Sequence, residues 1–441
     1  MRPKFFHLYI IIFLIIPSPS HFSQNIFQSE PSLRVRIIYT LDSLEMIFNN
    51  EWELVNEDEN IKYNFSKDDS AKLEILNNQI NLIEIRNSST VSSHKIKLIS
   101  KEKDGTIKIK RVPYGIGWWW EGIEDRVYEG EIEISINGNI KFDVIIALPL
   151  EKYLCGVVPY EIGSDAPLEA LKSQVIAARS ETMEALISEK YKEDNYDICA
   201  DVECQVFAGN NKRTELTDKA VEDTRGLCLF YVDKVIGAYY ASNCGGMSEN
   251  VEDVWPERSS PEPYWNSHFD SDSELNFNPK ENPKEWIEGN PDVFCNPDYH
   301  PELPDWGKKN FRWQVEMTND ELSKNLNEIK NIGNLIAIEI MERGNSGRIT
   351  KAKFIGDVDS LLLNSELDIR KIKKPPFRSS CFIVEKQIEE QNKQAFIFKG
   401  AGWGHGVGMC QSGAVARAYS GQNFIEILNH YFPKTEIKKA Y

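Results

Sequence analysis

The sequence predicts an α+β fold, with a mixed β-rich core, a few helices and a small β-rich domain at the N-terminus. Residues 128–136 alternate between polar and apolar side chains, and residues 141–147 form a return strand after Asn137-Gly138, a strong hairpin signal. A long amphipathic segment follows from Pro167. Strand-like and helix-like segments then mix without regular βαβ alternation, which favours α+β over a parallel α/β protein.

The longest predicted helix runs from Pro167 to about Glu189. Pro167 suits the first helical position, where its missing N–H is not needed, and the acidic Asp165 lies just before it. Apolar residues recur at steps of three and four, at Leu168, Leu171, Val175, Ala178 and Leu186. This spacing is typical of one buried helix face.

The other predicted elements are shorter. Two strands are predicted within 226–243, around Val232-Asp233-Lys234, then strands at 311–317, 335–341 and 351–355, and a short helix at 424–432. Residues 253–310 are rich in Pro, Asp, Glu, Asn and Trp and have no clear period. This composition predicts an irregular excursion, ordered in part by Trp255, Trp265 and Trp286.

Length and charge limit the possible architectures and partners. A chain of 441 residues can hold two or three domains. We predict a signal peptide over 1–23, a β-rich accessory domain over 30–124, and a larger domain over 125–441 that contains the irregular insertion at about 253–310. The formal net charge of −17 argues against nucleic acid and anionic lipid as partners, because both are polyanions.

The N-terminus has the pattern of an export signal. Arg2 and Lys4 supply a short basic region, residues 8–16 are continuously apolar, and residues 17–23 offer small side chains for cleavage. The apolar segment is too short to span a bilayer comfortably. We therefore expect an exported protein. An uncleaved N-terminal membrane anchor is the alternative.

Five glycines fall at positions 402, 404, 406, 408 and 413, around one Trp, one His and one Cys. Glycine weakens helices and strands, but it lets a ligand or another backbone approach closely. The spacing differs from GxGxxG and no GK[ST] follows, which argues against a nucleotide-binding loop. We interpret residues 402–420 as one wall of a binding cleft with His405 at its edge. A glycine-rich turn beside a core helix is the alternative.

Glu161 is the strongest candidate for an acid catalyst. It is predicted to lie between a strand and the helix that starts near Pro167, and rigid elements on both sides would hold it in place. Its neighbours, residues 157–162, are mostly apolar or aromatic, so burial would raise its pKa and keep a proton available. A nearby helix N-terminus would lower the pKa instead. The alternative is a solvated surface carboxylate.

The chain has eight cysteines, of which Cys199 and Cys204 have a C-x4-C spacing. Such a pair fits a disulfide, free thiols or half of a zinc site. No histidine lies in this segment, so we expect no cofactor, and zinc at this pair is the alternative. We interpret Cys410 as a buried structural thiol rather than a nucleophile.

Seven segments, in order along the chain, resemble the SpoIID/LytB family, which includes a sporulation protein that degrades peptidoglycan and an amidase-enhancer branch. These segments are YEGEIEI (128–134), LPLEKYLCGVVPYEI (148–162), PLEALKSQVIAARS (167–180), CQVFAG (204–209), YYASNCGG (239–246), RGNSGRI (343–349) and GWGHGVGMCQSGA (402–414). Each segment by itself is a weak match, but the ordered set is specific and covers roughly residues 125–440.

The resemblance implies an exported cell-wall protein with a SpoIID-like catalytic domain that acts on peptidoglycan glycan strands. The sporulation branch consists of lytic transglycosylases, whose catalytic glutamate falls on Glu161. In that reaction one carboxyl group acts as acid and then as base, and the product ends in a 1,6-anhydro sugar. The enhancer branch implies the alternative, a non-catalytic glycan-binding protein that stimulates a cell-wall amidase. Positions expected to line the substrate cleft are Gln205, Ser242, Asn243, Gly404, His405 and Gly406.

Overall fold

The computed structural model describes residues 26–56, 61–84, 92–257, 262–273, 275–388 and 394–441. The predicted signal peptide, residues 1–23, lies outside the described residues. Within the described part of the chain, no helix combines the length and the apolar character needed to cross a bilayer. Strands account for 35% of the structure and helices for 24%, which confirms a mixed, β-rich architecture with several sheets.

The secondary-structure elements are numbered in chain order. The strands are β1 (Ser32–Ile38), β2 (Ser43–Phe48), β3 (Trp52–Asn56), β4 (Ile61–Phe65), β5 (Ser70–Leu76), β6 (Gln79–Glu84), β7 (Ser92–Ser93), β8 (Lys95–Ser100), β9 (Thr106–Tyr114), β10 (Gly122–Glu129), β11 (Glu131–Ile136), β12 (Phe142–Pro149), β13 (Ile198–Cys199), β14 (Leu227–Tyr231), β15 (Lys234–Val235), β16 (Tyr240–Ala241), β17 (Arg312–Thr318), β18 (Leu335–Arg343), β19 (Ile349–Gly356), β20 (Ser360–Leu363), β21 (Phe382–Ile388), β22 (Gln394–Ala401), β23 (Met409–Cys410) and β24 (Glu436–Lys439). The helices are α1 (Leu150–Glu161), α2 (Leu168–Ile187), α3 (Glu215–Asp223), α4 (Val251–Val254), a 3₁₀ turn (Pro263–Trp265), α5 (Pro283–Glu288), α6 (Asp305–Phe311), α7 (Asn319–Ile329), α8 (Glu366–Arg370), α9 (Gln411–Tyr419) and α10 (Phe424–Tyr431).

Two large sheets form the N-terminal half of the molecule. Among the described residues, seven strands pair in the order β13-β1-β12-β11-β8-β3-β4 and six in the order β10-β9-β2-β5-β6-β7. Alternate side chains, such as Val35 of β1 and Met46 of β2, are buried in one shared core. Strands from both sides of residue 124 lie in each sheet: β1 pairs with β12 and β9 with β10. The predicted boundary between an accessory domain and a larger domain therefore has no counterpart in the strand pairing.

The predicted hairpin forms between β11 and β12, which pair antiparallel from Ile132↔Ile146 to Ile136↔Phe142. The structure differs from the continuous strand predicted over 128–136, because Gly130 adopts φ +119° and separates β10 from β11. A Cβ at Gly130 would lie 2.6 Å from the carbonyl oxygen of Ala147. The break thus follows from a close backbone approach that only glycine permits.

The predicted long helix is confirmed as α2, whereas α1 was not predicted. The sequence of α1 contains Gly156, Pro159 and two adjacent valines, all poor helix formers. Tertiary packing overrides this propensity: α1 is almost entirely buried, and a Cβ at Gly156 would lie 2.5 Å from the Phe207 ring. Glu161 is therefore the last residue of a helix, and not part of a strand-to-helix loop.

The C-terminal half contains smaller sheets around the irregular excursion. Strands β17, β22 and β21 form one sheet and β18, β19 and β20 another, which confirms the strands predicted at 311–317, 335–341 and 351–355. The predicted terminal helix is α10. The described residues of 253–310 contain only short helices. The indole N–H of Trp265 donates to the Gly237 carbonyl at 2.9 Å, and Trp286 is buried. These tryptophans help to hold the excursion on the core, as predicted.

Candidate active site

Glu161 lies at the C-terminal end of α1 with its side chain only partly exposed. The backbone N–H of Val206 donates to Glu161 Oε1 at 2.7 Å. Burial raises the pKa of Glu161 to about 7, although the Val206 N–H and the side chains of Gln411 and Tyr240 lower it in part. The C-terminal end of α1 also disfavours a carboxylate, in contrast to the helix N-terminus considered from the sequence. Glu161 can thus hold a proton near neutral pH.

A second carboxyl group, that of Glu181 on α2, lies beside Glu161. Burial raises the pKa of Glu181 to about 8, a hydrogen bond from Gln205 opposes this rise, and the charge of Glu161 adds to it. Gln205 Nε2 donates to Glu181 Oε2 at 3.1 Å. The sequence analysis missed this residue. No local sequence pattern marks it, because its surroundings depend on the packing of α1 against α2.

Gln205 lies beneath the two carboxyl groups and is buried. Its Oε1 accepts hydrogen bonds from the hydroxyls of Tyr153 and Thr182, each at 3.1 Å. Its Nε2 donates to Glu181 and to the backbone carbonyl of Ala178. The side-chain amide is therefore engaged within the protein, and these contacts favour a role in positioning Glu181 over the predicted contact with substrate.

Tyr240 and Gln411 connect the glycine-rich segment to Glu161. Strands β16 and β23 pair in parallel, with Tyr240 opposite Met409, so that the first residue of α9, Gln411, comes close to Glu161. Gln411 Nε2 donates to Gln174 Oε1 at 3.1 Å, which fixes the orientation of its amide. The buried Tyr240 hydroxyl has no hydrogen-bond partner of good geometry among the described residues. It faces the Glu161 carboxyl group, whose pKa it lowers.

His405 is held in its neutral form. Its Nδ1 accepts the backbone N–H of Val407 at 3.0 Å, and its ring lies 4.9 Å from the ring of Trp255. Burial and the nearby charges of Arg348 and Arg370 lower the pKa of His405 to about 3, although a hydrogen bond to the Tyr240 backbone acts in the opposite direction. A neutral His405 near pH 7 cannot supply a proton as an imidazolium, which agrees with a positioning role.

The glycine-rich segment is mostly packed inside the protein. Gly402, Gly406 and Gly408 are buried, and within residues 402–413 only 403–405 are partly exposed. Gly404 and Gly406 adopt φ +102° and +82°, and a Cβ at Gly406 would lie 2.4 Å from Arg348 Cζ. The predicted cleft wall is thus limited to residues 403–405, and the flanking glycines serve close packing.

We expect Gly406→Ala to destabilise the protein by about 1–3 kcal/mol, because an alanine would be strained at positive φ and would displace the Arg348 guanidinium. Denaturant unfolding of the purified variant measures this loss. Gly138→Ala is the matched control, since a Cβ there meets nothing within 4 Å and φ is not positive. Equal stability of the two variants would contradict the packing role of Gly406.

Ser242 and Asn243 lie next to the glycine-rich segment but differ in exposure. Ser242 is partly exposed, and its hydroxyl accepts from Asn310 Nδ2 at 3.3 Å. Asn243 is fully buried, and its Nδ2 donates to the backbone carbonyls of Cys295 and Gly307 at 3.4 and 3.3 Å. Ser242 remains a predicted substrate contact, whereas the contacts of Asn243 are those of a residue that holds the excursion in place.

Aromatic rings extend the site on the side of the glycine-rich segment. Trp119 and Trp120 pack against Trp403 with ring centroids 4.7 and 5.4 Å apart, and Trp118 stacks on Trp120 at 5.0 Å. Trp119 remains 42% exposed, so part of an indole face is open to a ligand. The three consecutive tryptophans therefore combine packing with an accessible aromatic surface beside His405.

Cys199 and Cys204 lie close together as free thiols. Cys204 Sγ accepts the backbone N–H of Cys199 at 3.2 Å and lies 3.0 Å from the Tyr191 hydroxyl. Asp201 and Glu203, together with Cys199, offer potential ligand atoms within 4.8 Å of one another. Among the described residues, this group contains no histidine.

Comparison with known proteins agrees with the resemblance found in the sequence. The family model described as stage II sporulation protein (SpoIID) matches residues 139–231, and a model described as a domain of unknown function (DUF8618) matches residues 249–408. The chain therefore contains a SpoIID domain, which includes Glu161, Glu181 and Gln205.

Similar proteins include distant members of the same group. An uncharacterised protein of Brachyspira hyodysenteriae is 27% identical over 335 residues, which cover 73% of this chain and 78% of that protein. Stage II sporulation protein D of Bacillus amyloliquefaciens is 23% identical over 335 residues, covering 73% and 83% of the two chains. The amidase enhancer of Bacillus subtilis is 27% identical over 303 residues, which cover 64% of this chain but only 40% of that protein.

Proposed function

We propose that this protein is a peptidoglycan lytic transglycosylase, in which Glu161 acts as both acid and base. The observation that carries the proposal is the state of the Glu161 carboxyl group. Burial raises its pKa to about 7, and the Val206 N–H holds it in one position. Such a pKa allows a carboxyl group to give and regain a proton near neutral pH. The SpoIID domain around Glu161 supports a cell-wall glycan as the substrate.

The proposed reaction uses one carboxyl group twice, first as an acid and then as a base. Protonated Glu161 donates to the glycosidic oxygen that follows N-acetylmuramic acid, and the bond between that oxygen and the anomeric carbon breaks through an oxocarbenium-like state. The 6-hydroxyl of the same sugar attacks the anomeric carbon and gives its proton to the Glu161 carboxylate. The product carries a 1,6-anhydro-N-acetylmuramic acid end, and Glu161 is again protonated. The buried Tyr240 hydroxyl lies next to Glu161 and helps to hold its carboxyl group.

Glu181 places a second carboxyl group beside Glu161. Glycoside hydrolases use a second, ionised carboxylate to activate water or to attack the sugar. With a pKa of about 8, raised by burial and by the charge of Glu161, Glu181 is mostly protonated at pH 7 and does not supply that carboxylate. The electrostatics of the pair therefore favour transglycosylation over hydrolysis.

The surface beside the carboxyl groups suits a carbohydrate. The partly exposed face of Trp119, next to Trp403, offers an apolar ring on which a sugar can stack. The partly exposed Ser242 adds an uncharged hydrogen-bonding group beside the neutral His405 ring. An exported location, periplasmic or at the cell wall, follows from this proposal and from the sequence of residues 1–23.

A second candidate function is that of a non-catalytic peptidoglycan-binding amidase enhancer, favoured by the similarity to the Bacillus subtilis amidase enhancer. Incubation of the purified protein with purified peptidoglycan separates the two functions. A transglycosylase releases soluble glycan without any other enzyme. An enhancer cosediments with the peptidoglycan, releases nothing by itself and increases release by an added cell-wall amidase. The second pattern would overturn the proposed catalytic function.

A further inference from the structure

Three thiols and one carboxyl group converge inside the C-terminal half of the protein. Cys244, Asp270, Cys295 and Cys410 each offer one potential ligand atom, and these atoms all lie within 4.8 Å of one another. None of the four residues is more than 3% exposed. Charged carboxyl groups and several free thiols rarely share a closed interior unless they are paired or bind a metal ion. This cluster therefore needs a physical explanation.

The distances fit a tetrahedral metal ion. Cys244 Sγ lies 3.6 Å from Cys295 Sγ and 3.9 Å from Asp270 Oδ2. A tetrahedral zinc ion with bonds of about 2.3 Å to sulfur and about 2.0 Å to oxygen separates its sulfur ligands by about 3.8 Å and a sulfur from an oxygen by about 3.5 Å. The ligand atoms are thus already spaced for a four-coordinate ion.

The surroundings are arranged to stabilise thiolates. Cys410 Sγ accepts the backbone N–H groups of Cys244 at 3.2 Å and of Gly413 at 3.4 Å, and it caps the N-terminus of α9. Cys244 Sγ accepts the backbone N–H of Gly246 at 3.4 Å. Backbone N–H groups and a helix N-terminus both favour the charged form of a cysteine, which is the form that binds metals.

The carboxyl group of Asp270 is also oriented as a ligand. The Tyr431 hydroxyl donates to Asp270 Oδ1 at 2.7 Å, and Oδ2 is the oxygen that faces Cys244. Arg417 Nε lies 3.5 Å from Asp270 Oδ1, and Arg312 donates to the backbone carbonyl of Gly245 next to Cys244. The buried Arg417 and the half-buried Arg312 offset the negative charge that three thiolates and a carboxylate leave on a divalent ion. Such outer groups commonly orient metal ligands.

We propose that Cys244, Cys295, Cys410 and Asp270 bind one structural zinc ion. Thiolate ligands favour zinc over magnesium or calcium, and four protein ligands in a closed interior are typical of a structural site, because a catalytic site leaves one position open. A disulfide would use two of the three thiols and leave the third thiol and the carboxyl group buried together. A bound zinc ion accounts for the close approach and the burial of all four side chains.

The zinc ion would fasten the irregular excursion to the core. Asp270 and Cys295 belong to residues 253–310, whereas Cys244 follows β16 and Cys410 precedes α9. An ion that joins these segments closes long loops, which contributes stability that the short helices of the excursion do not supply. Cys410 directly precedes Gln411, which contacts Glu161. The site therefore supports the geometry around Glu161, but its existence does not depend on the proposed catalytic function.

The test measures metal in the full-length protein purified without chelators. We expect about one zinc ion per chain by elemental analysis, and cobalt-substituted protein should show the thiolate-to-cobalt absorption of a tetrahedral site. Cys295→Ser should lose the metal. If that variant does not fold, Asp270→Asn keeps the side-chain shape and should weaken zinc binding by at least about tenfold. A strong chelator should lower the melting temperature of the parent protein.

Matched variants distinguish this site from the other cysteine pair. The double variant Cys199→Ser/Cys204→Ser should keep its zinc, and Cys381→Ser, which alters a buried thiol outside the cluster, should do the same. Three results would overturn the proposal. These are a folded protein with almost no zinc, a disulfide between Cys244 and Cys295 in peptide mass spectra, and loss of zinc only in the double variant.

Discussion

Glu161→Gln should lower the rate of glycan cleavage by about 10²–10⁴-fold while the protein stays folded, because glutamine has no proton to transfer. Glutamine keeps the size of the side chain and can still accept the Val206 N–H that holds Oε1 at 2.7 Å. The change therefore removes the acid and base without removing the contact that positions it. Release of soluble glycan from purified peptidoglycan measures the effect, and unfolding curves check the fold.

Two further variants make this result specific to Glu161. Glu184→Gln, the same glutamate-to-glutamine change elsewhere on α2, should leave the rate unchanged. His405→Ala should lower the rate by less than Glu161→Gln does, since the pKa of His405 is lowered to about 3 by burial and nearby arginines and the neutral ring only orients the substrate. If His405→Ala were the more damaging change, or if Glu161→Gln kept full activity, Glu161 would lose its catalytic assignment.

Glu181→Gln should make the protein more stable at pH 8 and leave its stability unchanged at pH 4. Burial, and then the charge of Glu161, raise the pKa of Glu181 from 4.5 to about 8 in the folded protein. Below about pH 4.5 the carboxyl group is protonated in both states. As the pH rises towards 8, the unfolded chain loses this proton first, so that the folded state is progressively disfavoured. At about 1.4 kcal/mol for each pKa unit, the rise from 4.5 to about 8 corresponds to a gain on the order of 4 kcal/mol at pH 8.

Denaturant midpoints of parent and variant at pH 4 and pH 8 test this expectation. Glu184→Gln is measured in parallel as the control for the same substitution on the same helix. A variant that is less stable than the parent at pH 8 would mean that Glu181 is ionised and paired in the folded protein. In that case a second carboxylate would be available, and the site would favour hydrolysis over transglycosylation.

Local sequence patterns predicted the elements whose structure depends mainly on adjacent residues. Asn137-Gly138 identified the β11–β12 hairpin, and the spacing of apolar residues identified α2. Helix α1 was missed because Gly156 and Pro159 argue against a helix, and only the packing of Phe207 against Gly156 accounts for it. The predicted boundary of the accessory domain also depended on long-range contacts. Strands of that region pair with β11 and β12, which lie beyond the boundary.

The candidate site was predictable only in part for a similar reason. Glu161 was identified from its apolar neighbours and from the family resemblance, and both are properties of adjacent residues. Glu181 lies 20 residues further along the chain, and its raised pKa depends on the tertiary contact between α1 and α2. The ligands proposed for zinc come from Cys244, Asp270, Cys295 and Cys410, whose wide and irregular spacing matches no short metal-binding motif.

The chemical form of the new chain ends tests the central claim most directly. Purified protein is incubated with purified peptidoglycan, and the soluble products are analysed by mass spectrometry. A lytic transglycosylase should produce 1,6-anhydro-N-acetylmuramic acid ends, each lighter by one water than the product of hydrolysis, and Glu161→Gln should produce none. Reducing N-acetylmuramic acid ends, or no soluble product while the protein still binds the peptidoglycan, would contradict the account.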